Sequence, residues 1–238
     1  MANEEARKHH FVPEFLLRPW SLGGVLRGYW WDARRDELAC IRKGAKGFCR
    51  QLELLTLRSH SLGRDALEKV FFGHIDAKGA AVRDRLVAAG PRSLNDDQRC
   101  DFARLLLSLD VRRPAIVATL RHAGPRHIAA SLDGDPEIIA AMVREGLAGP
   151  PSTYIEQLGM CLEDRALATI QQLVDNPEVG GRLINAHWHM VRLGLIDGTL
   201  VLSDRPLIRI RGYEHPGAAW VLPLTPKAAF VAVNHQAT

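Results

Sequence analysis

The 238-residue chain has little cysteine, no long apolar run and no leader-like start, and each absence excludes a class of protein. Its four cysteines form no Cys-x-x-Cys pair, so we expect neither a disulfide framework nor an evident zinc site. No run of about eighteen apolar residues occurs, which argues against a transmembrane helix. The polar start does not have the pattern of a signal peptide. We therefore expect a soluble, cytoplasmic protein with no membrane partner.

Several common catalytic motifs are also missing. The sequence contains no Gly-x-Ser-x-Gly nucleophile elbow, no kinase signature and no Walker lysine motif. Lysine is scarce as well. Of the 31 basic residues, 25 are arginine and only 6 are lysine. Arginine binds phosphate and carboxylate bidentately, which favours an anionic partner such as nucleic acid. A GC-rich genome would enrich arginine without any functional demand, and acidic residues are interleaved nearly everywhere, so both explanations stay open.

Two adjacent histidines lie near the start, in the segment Lys8-His9-His10-Phe11-Val12-Pro13. Neighbouring side chains point to different faces, so at most one of His9 and His10 can point at a given ligand. Pro13 holds Val12 out of the α region, which predicts an extended segment from His9 to Val12. The segment is typical either of a site or of an N-terminal arm that apolar residues tie to the core.

The hydrophobic period changes from two to 3.6 and back along the chain. The helical spacing covers residues 64 to 176, and strand-like alternation precedes and follows it. The predicted elements begin with strands at 28–32 and 38–42. Helices follow at 65–90, from after Ser93 or Asn95 to 112, from 114, at 137–147 and at 153–175. Further strands are predicted at 185–193, 199–203, 207–211, 219–224 and 228–233. Asp197-Gly198 predicts a hairpin turn.

This order predicts an α+β fold in which the N-terminal and C-terminal strands share one sheet, in one β-rich layer with the central helical section packed on it. We expect a single domain over 1–238, since 47% apolar residues can bury a sizeable core. Its parts are a β-rich segment at 9–60, a helical segment at 64–176 and a β-rich segment at 183–235.

Three further groups of residues could carry chemistry. Glu68 and Asp76 lie about 80° apart on one predicted helix, so they can border one cleft or be surface charges. His187 and His189 share one side of a predicted strand, which suits a metal ion, or a solvent-facing stripe with Trp188 buried behind it. The segment Ser203-Asp204-Arg205-Pro206 follows a strand, where a carboxylate serves as a metal ligand, a general base or a turn cap.

The opening resembles the bacterial domain-of-unknown-function family four-two-three-eight, whose members begin with Lys-His-His-aromatic-Val-Pro-x-Phe-x-Leu-Arg-x-aromatic. The matching positions here are His9, His10, Val12, Pro13, Phe15, Leu17, Arg18 and Trp20. The resemblance continues through Asp65 to Glu68, Phe71-Phe72, Ile75-Asp76, Leu109 to Pro114, His187-Trp188, Ser203 to Pro206 and Leu222 to Pro226. It covers nearly the whole chain and implies a fold without an assigned activity.

We expect one of the two histidines and the ionisable side chains around them to line a common cleft. The predicted catalytic residues are His9, His10, Glu68, Asp76 and Asp204, the substrate-binding residues Arg18, Arg112 and Arg205, and the metal ligands His10 and Asp204. Such a set suits metal-assisted hydrolysis of a phosphodiester. A divalent metal ion is the cofactor that this reaction would use. The expected partner is nucleic acid or another phosphate-bearing ligand. The alternative is a non-catalytic module that binds nucleic acid or an anionic partner. The oligomeric state is left open.

Overall fold

A computed structural model describes residues 7–194 and 198–234. Strands lie towards both ends of the described chain and helices fill the middle. The strands are β1 (Lys8–His10), β2 (Leu26–Asp32), β3 (Glu37–Lys43), β4 (Arg50–Leu52), β5 (His187–Arg192), β6 (Ile208–Ile210), β7 (Ala219–Thr225) and β8 (Ala228–Val233). The α-helices are α1 (Glu14–Leu17), α2 (Gly73–Ala89), α3 (Asp96–Val111), α4 (Pro114–Asp133), α5 (Pro136–Arg144), α6 (Pro151–Gln157), α7 (Leu162–Val174) and α8 (Pro177–Asn185). A π-helix, Leu67–Phe72, leads directly into α2, and short 3-10 turns cover Arg18–Trp20, Ala45–Gly47 and Pro91–Ser93.

The strands form three separate antiparallel sheets. β1 pairs with β4, β2 pairs with β3, and the C-terminal sheet has the order β5-β8-β7-β6. The α+β class with a central helical section is confirmed, but the expectation that N-terminal and C-terminal strands share one sheet is wrong. β1 and β4 are only three residues long and pair with each other. β2 and β3 close on each other as a hairpin, so the N-terminal strands pair among themselves.

The N-terminal segment nevertheless contacts the C-terminal part of the chain. The Trp20 indole N–H donates to the Leu200 carbonyl at 2.8 Å, and the turn around Trp20 packs against β7. Apolar side chains from all three parts of the chain join one buried cluster. The organisation of residues 1–238 as a single domain stays a prediction.

Prolines begin four of the helices, because a fixed φ near −65° and a missing N–H suit the first helical turn. These prolines are Pro114, Pro136, Pro151 and Pro177. The predicted helix at 153–175 is wrong as one element: it is α6 and α7, separated around Gly159, whose φ of 81° ends α6. α8 was not predicted. Residues 199–203 form no strand, and the predicted turn falls partly on Asp197, outside the described residues.

The C-terminal sheet packs its aromatic residues against α3. Phe102, Trp188 and Phe230 meet edge to face, with ring centroids 4.9 to 5.8 Å apart. Trp188 is therefore buried, while His187 and His189 on the other side of β5 are exposed, as in the solvent-facing interpretation. In the described ranges, no helix has the length and apolar character needed to cross a membrane.

Candidate functional site

Strand β1 carries the histidine pair and points the two rings to opposite sides. His9 is 1% exposed, and its Nδ1 accepts the backbone N–H of Leu55 at 2.9 Å. The proton of the neutral ring therefore lies on Nε2, which is 3.5 Å from a carboxylate oxygen of Asp65, at the outer limit of a hydrogen bond. Burial lowers the pKa of His9, and the nearby Asp65 opposes that shift. His9 thus anchors β1 to the core and to the loop after β4.

His10 is only partly buried and is oriented by a different contact. Its Nε2 lies 3.2 Å from the carbonyl oxygen of Lys46, which can only accept, so Nε2 donates. In the neutral ring Nδ1 then keeps its lone pair. Burial lowers the pKa of His10, opposed by the Lys46 carbonyl and by Glu14. His10 is therefore a neutral imidazole with a basic nitrogen at neutral pH.

Glu68 lies on the π-helix that precedes α2. Its Oε1 accepts the backbone N–H of His10 at 3.3 Å, and its Oε2 is buried with no hydrogen-bond partner in the part of the chain that the structure describes. Burial raises the pKa of Glu68 to about 7, opposed by Arg112 and by the His10 N–H. A carboxyl group in this position changes its charge close to neutral pH. π-helical turns occur frequently at functional sites.

Arg112, at the end of α3, is fully buried and forms an ion pair with Asp76. Its two terminal nitrogens donate to the two Asp76 oxygens at 2.8 and 3.0 Å, and the guanidinium lies 5.1 Å from the centre of the Phe72 ring. This bidentate geometry is the strongest form of the pair. Because the guanidinium is enclosed, it acts on Glu68 through its charge. Its predicted role in binding substrate is not favoured by this burial.

The structure therefore brings together four of the predicted site residues, which we call the polar cluster: His10, Glu68, Asp76 and Arg112. It does not bring the other four there. The His9 ring lies on the opposite side of β1, where it contacts Leu55 and Asp65. Arg18 is exposed and pairs with Glu14 at 3.2 Å. Asp204 and Arg205 are exposed. Burial raises the pKa of Cys49 to about 12, and the charge of the Asp204 carboxylate adds a smaller contribution to this shift. The roles assigned to all eight residues stay predictions.

The turn at 203–206 is held by serine. The Ser203 hydroxyl accepts the backbone N–H of Arg205 at 3.0 Å and donates to the Arg205 carbonyl at 2.9 Å. This supports the turn interpretation of the segment, with the Asp204 side chain left in solvent. Over residues 7–194 and 198–234, no group of three or more His, Cys, Asp or Glu side chains is placed to hold a metal ion.

Backbone strain accompanies the polar cluster. Cys49 and Glu53, which flank β4, have φ angles of 50° and 54°, a left-handed conformation that costs a residue with a side chain about 1 kcal/mol or more. The Cys49 carbonyl accepts the Phe11 N–H at 2.9 Å, which fixes the chain just after the histidine pair. Strain of this kind concentrates at functional sites.

Two contributors to the site were not predicted as site residues. Asp65 faces His9 and pairs with Lys69 at 2.8 Å, and the Lys46 carbonyl orients His10. Asp65 could have been found, since it lies three residues before Glu68 at the start of the helical segment, a spacing typical of a helix N-terminus. The Lys46 contact is made by the backbone and leaves no side-chain signal in the sequence.

Two cavities lie away from the polar cluster. One has a volume of about 290 Å³ and is lined by apolar side chains, which include Leu57 and Phe71, and by His74 and Arg104. The other, of about 450 Å³, lies beside His187 and His189. Neither is lined by a side chain of the polar cluster.

The chain was compared with known protein families, curated proteins and solved structures. The family described as "Protein of unknown function (DUF4238)" matches residues 8–238. No curated protein and no solved structure matches the chain. The matched range includes every side chain of the polar cluster.

Proposed function

Because the chain belongs to the DUF4238 family, whose description names no activity, we propose its function from the geometry: His10 and Glu68 form an acid–base site that hydrolyses phosphodiesters in the cytoplasm. The observation that carries this proposal is the pair of opposite pKa shifts. Burial keeps the neighbouring imidazole neutral and keeps the carboxyl protonated up to about pH 7. Pairs of groups whose pKa values are moved in this way supply a base and an acid at the same pH.

The chemistry needs one proton to be taken and one to be given. His10 Nδ1 removes a proton from the attacking water, whose oxygen bonds to phosphorus. The Glu68 carboxyl group gives its proton to the leaving oxygen as the P–O bond breaks. A general acid can pass its proton to the leaving oxygen through one water molecule, and the Glu68 carboxyl group acts in this way. The proton on His10 returns to Glu68 through solvent after the product leaves.

Charge near His10 supports an anionic substrate. After burial, Arg50 and Arg112 lower the pKa of His10, whereas the Glu14 carboxylate raises it. Positive charge from arginines near the imidazole would attract a phosphodiester and disfavour a protonated base. Metal assistance with His10 and Asp204 as ligands stays part of the proposal to be tested, and so does the predicted phosphate contact by Arg205.

The test is hydrolysis by protein purified without a histidine tag, using bis(4-nitrophenyl) phosphate and labelled single-stranded RNA and DNA. Each substrate is assayed with a chelator, with Mg²⁺ and with Mn²⁺. The rate of Asp204→Asn is compared with that of the unaltered protein in whichever of these conditions gives the highest rate. We expect His10→Gln and Glu68→Gln each to lower the rate by about 100-fold or more, as for a general base or acid. His189→Gln, which changes an exposed histidine outside the polar cluster, is the matched control and should keep the rate.

The pH profile separates a catalytic role from a structural one. Activity should rise as His10 loses its proton, below its ordinary value of 6.5, and fall as Glu68 ionises near 7, giving a narrow bell. In Glu68→Gln the falling limb should disappear. No hydrolysis in any metal condition, or equal rates for the His10 and His189 variants, overturns the proposal.

A further inference from the structure

The β2–β3 hairpin has one face that the rest of the described chain leaves open. The seven cross-strand pairs run in unbroken register from Leu26↔Lys43 to Asp32↔Glu37, so side chains alternate strictly between two faces. The residues of one face, which we call the aromatic face, are Arg27, Tyr29, Trp31, Leu38, Cys40 and Arg42. All six are exposed, and Tyr29 and Trp31 expose 59% and 60% of their surface.

The opposite face attaches the hairpin to the body of the protein. Leu26 is buried there, and Gly28 lies so close to the Phe48 ring that a Cβ atom would fall 2.3 Å from it. Trp30 is also on this face and is 47% exposed. The hairpin is thus held by one side, and the aromatic face is directed away from the core.

The charges of the hairpin are distributed unevenly between the faces. Asp32 and Glu37 pair across the strands on the attached face, and Arg35 lies 3.9 and 3.6 Å from their carboxylates. The aromatic face carries no carboxylate. Instead Arg27 lies directly opposite Arg42, and within the described ranges neither has an ion-pair partner. Like charges facing each other across a strand pair destabilise it, unless an anion lies between them.

We propose that the aromatic face binds single-stranded nucleic acid, with Tyr29 and Trp31 stacking on bases and Arg27 and Arg42 contacting phosphates. Two residues along a strand separate the rings by about 7 Å, and aromatic residues on the same face of a strand are a common platform for successive bases. Arginines beside such rings supply the phosphate contacts that single-strand binders use. The unpaired arginines and the lack of a carboxylate favour this polyanion over a second copy of this chain.

The hairpin also adjoins the polar cluster. β3 ends at Lys43, three residues before Lys46, whose carbonyl orients His10. A strand bound along the aromatic face towards Arg42 would therefore lead to the base of the hairpin, where the histidine pair lies. Binding at this face does not depend on the acid–base chemistry, so each proposal can fail without the other.

The test is fluorescence anisotropy with labelled twenty-nucleotide poly-dT and poly-U, using the full-length, untagged protein over a range of KCl concentrations. Trp31→Ala should weaken binding by about 5- to 150-fold, the range for loss of one stacked base. Trp30→Ala is the matched control, because it removes the same side chain from the same strand on the opposite face. Arg27→Gln combined with Arg42→Gln should make the slope of log affinity against log salt shallower by about 1.4.

Other outcomes decide between occupants. If Trp30→Ala weakens binding as much as Trp31→Ala, or if no binding occurs at low salt, the proposal is wrong. A concentration-dependent dimer that Trp31→Ala converts to monomer would assign the face to a second copy instead. If the protein sediments with anionic vesicles but does not bind oligonucleotide, the aromatic face binds a membrane surface instead. Glu68→Gln should bind oligonucleotide as the unaltered chain does, which separates this proposal from the acid–base site.

Discussion

Replacing Glu68 by glutamine should make the protein more stable at high pH and leave its stability nearly unchanged at low pH. The side chains are almost isosteric, and the glutamine oxygen can still accept the His10 N–H that Oε1 accepts at 3.3 Å. Burial raises the pKa of Glu68 from an ordinary value of 4.5 to about 7. The folded chain therefore binds more protons than the unfolded chain between these two values, so the free energy of unfolding falls as the pH rises through this window.

The size of the effect follows from the two pKa values. Each pKa unit corresponds to about 1.4 kcal/mol, so ionisation of Glu68 costs up to about 3 kcal/mol of stability above pH 7. Glu68→Gln removes this cost, because an amide does not ionise. We expect the stability difference between the variant and the unaltered protein to be near zero at pH 4.5 and to level off at about 3 kcal/mol by pH 8.

Urea unfolding followed by tryptophan fluorescence from pH 4.5 to 8.5 measures this difference. Glu156→Gln, at an exposed carboxyl on α6, is the control, and its difference should stay small across the range. A difference for Glu68→Gln that does not change with pH would refute the reasoning, because it would mean that Glu68 ionises alike in the folded and unfolded chains.

Four further substitutions test the packing around and beyond the site. Asp76→Asn should lower the free energy of unfolding in urea by about 3–5 kcal/mol, because it leaves the fully buried Arg112 charge unpaired. Arg112→Met should lower it by less, since Asp76 is 26% exposed and can be hydrated. An equal or larger loss for Arg112→Met would contradict this. Asn95→Ala, which removes the capping box of α3, should lower stability by about 1 kcal/mol in the same assay, and no change would argue against the cap. Gly124→Val should lower the melting temperature, because a Cβ at Gly124 would lie 2.4 Å from that of Ala166, and an unchanged melting temperature would show that α4 and α7 are not so close.

Local signals in the sequence predicted the elements better than their assembly. Pro114 was correctly predicted as the first residue of α4, and α3 begins after Asn95, which is one of the two starts that the sequence left open. α6 and α7 were predicted as one helix because Gly159, which separates them, was not recognised as a helix end. α8 was not predicted, although the fixed φ of Pro177 suits the first turn of a helix. Sheet membership was wrong because strand pairing depends on contacts between distant segments, which hydrophobic period does not encode.

The candidate site was predictable in part for a similar reason. His10, Glu68 and Asp76 lie on segments with clear local patterns, so they could be singled out. Whether they meet is decided by how β1 docks on the π-helix. Arg112 was expected to bind substrate. It is instead fully buried and paired with Asp76, which its position at a helix end near Pro114 did not indicate. Asp204 is exposed because Ser203 holds the turn.

The central claim is that Glu68 is a protonated acid close to neutral pH. The most direct measurement is an NMR titration of carboxyl carbons in protein labelled with ¹³C-glutamate, with the Glu68 signal assigned by its absence from Glu68→Gln. A midpoint at about pH 7 is the predicted result. A midpoint near the ordinary value of 4.5 would show that the carboxyl is ionised where the proposed chemistry needs its proton, and would contradict the acid–base site.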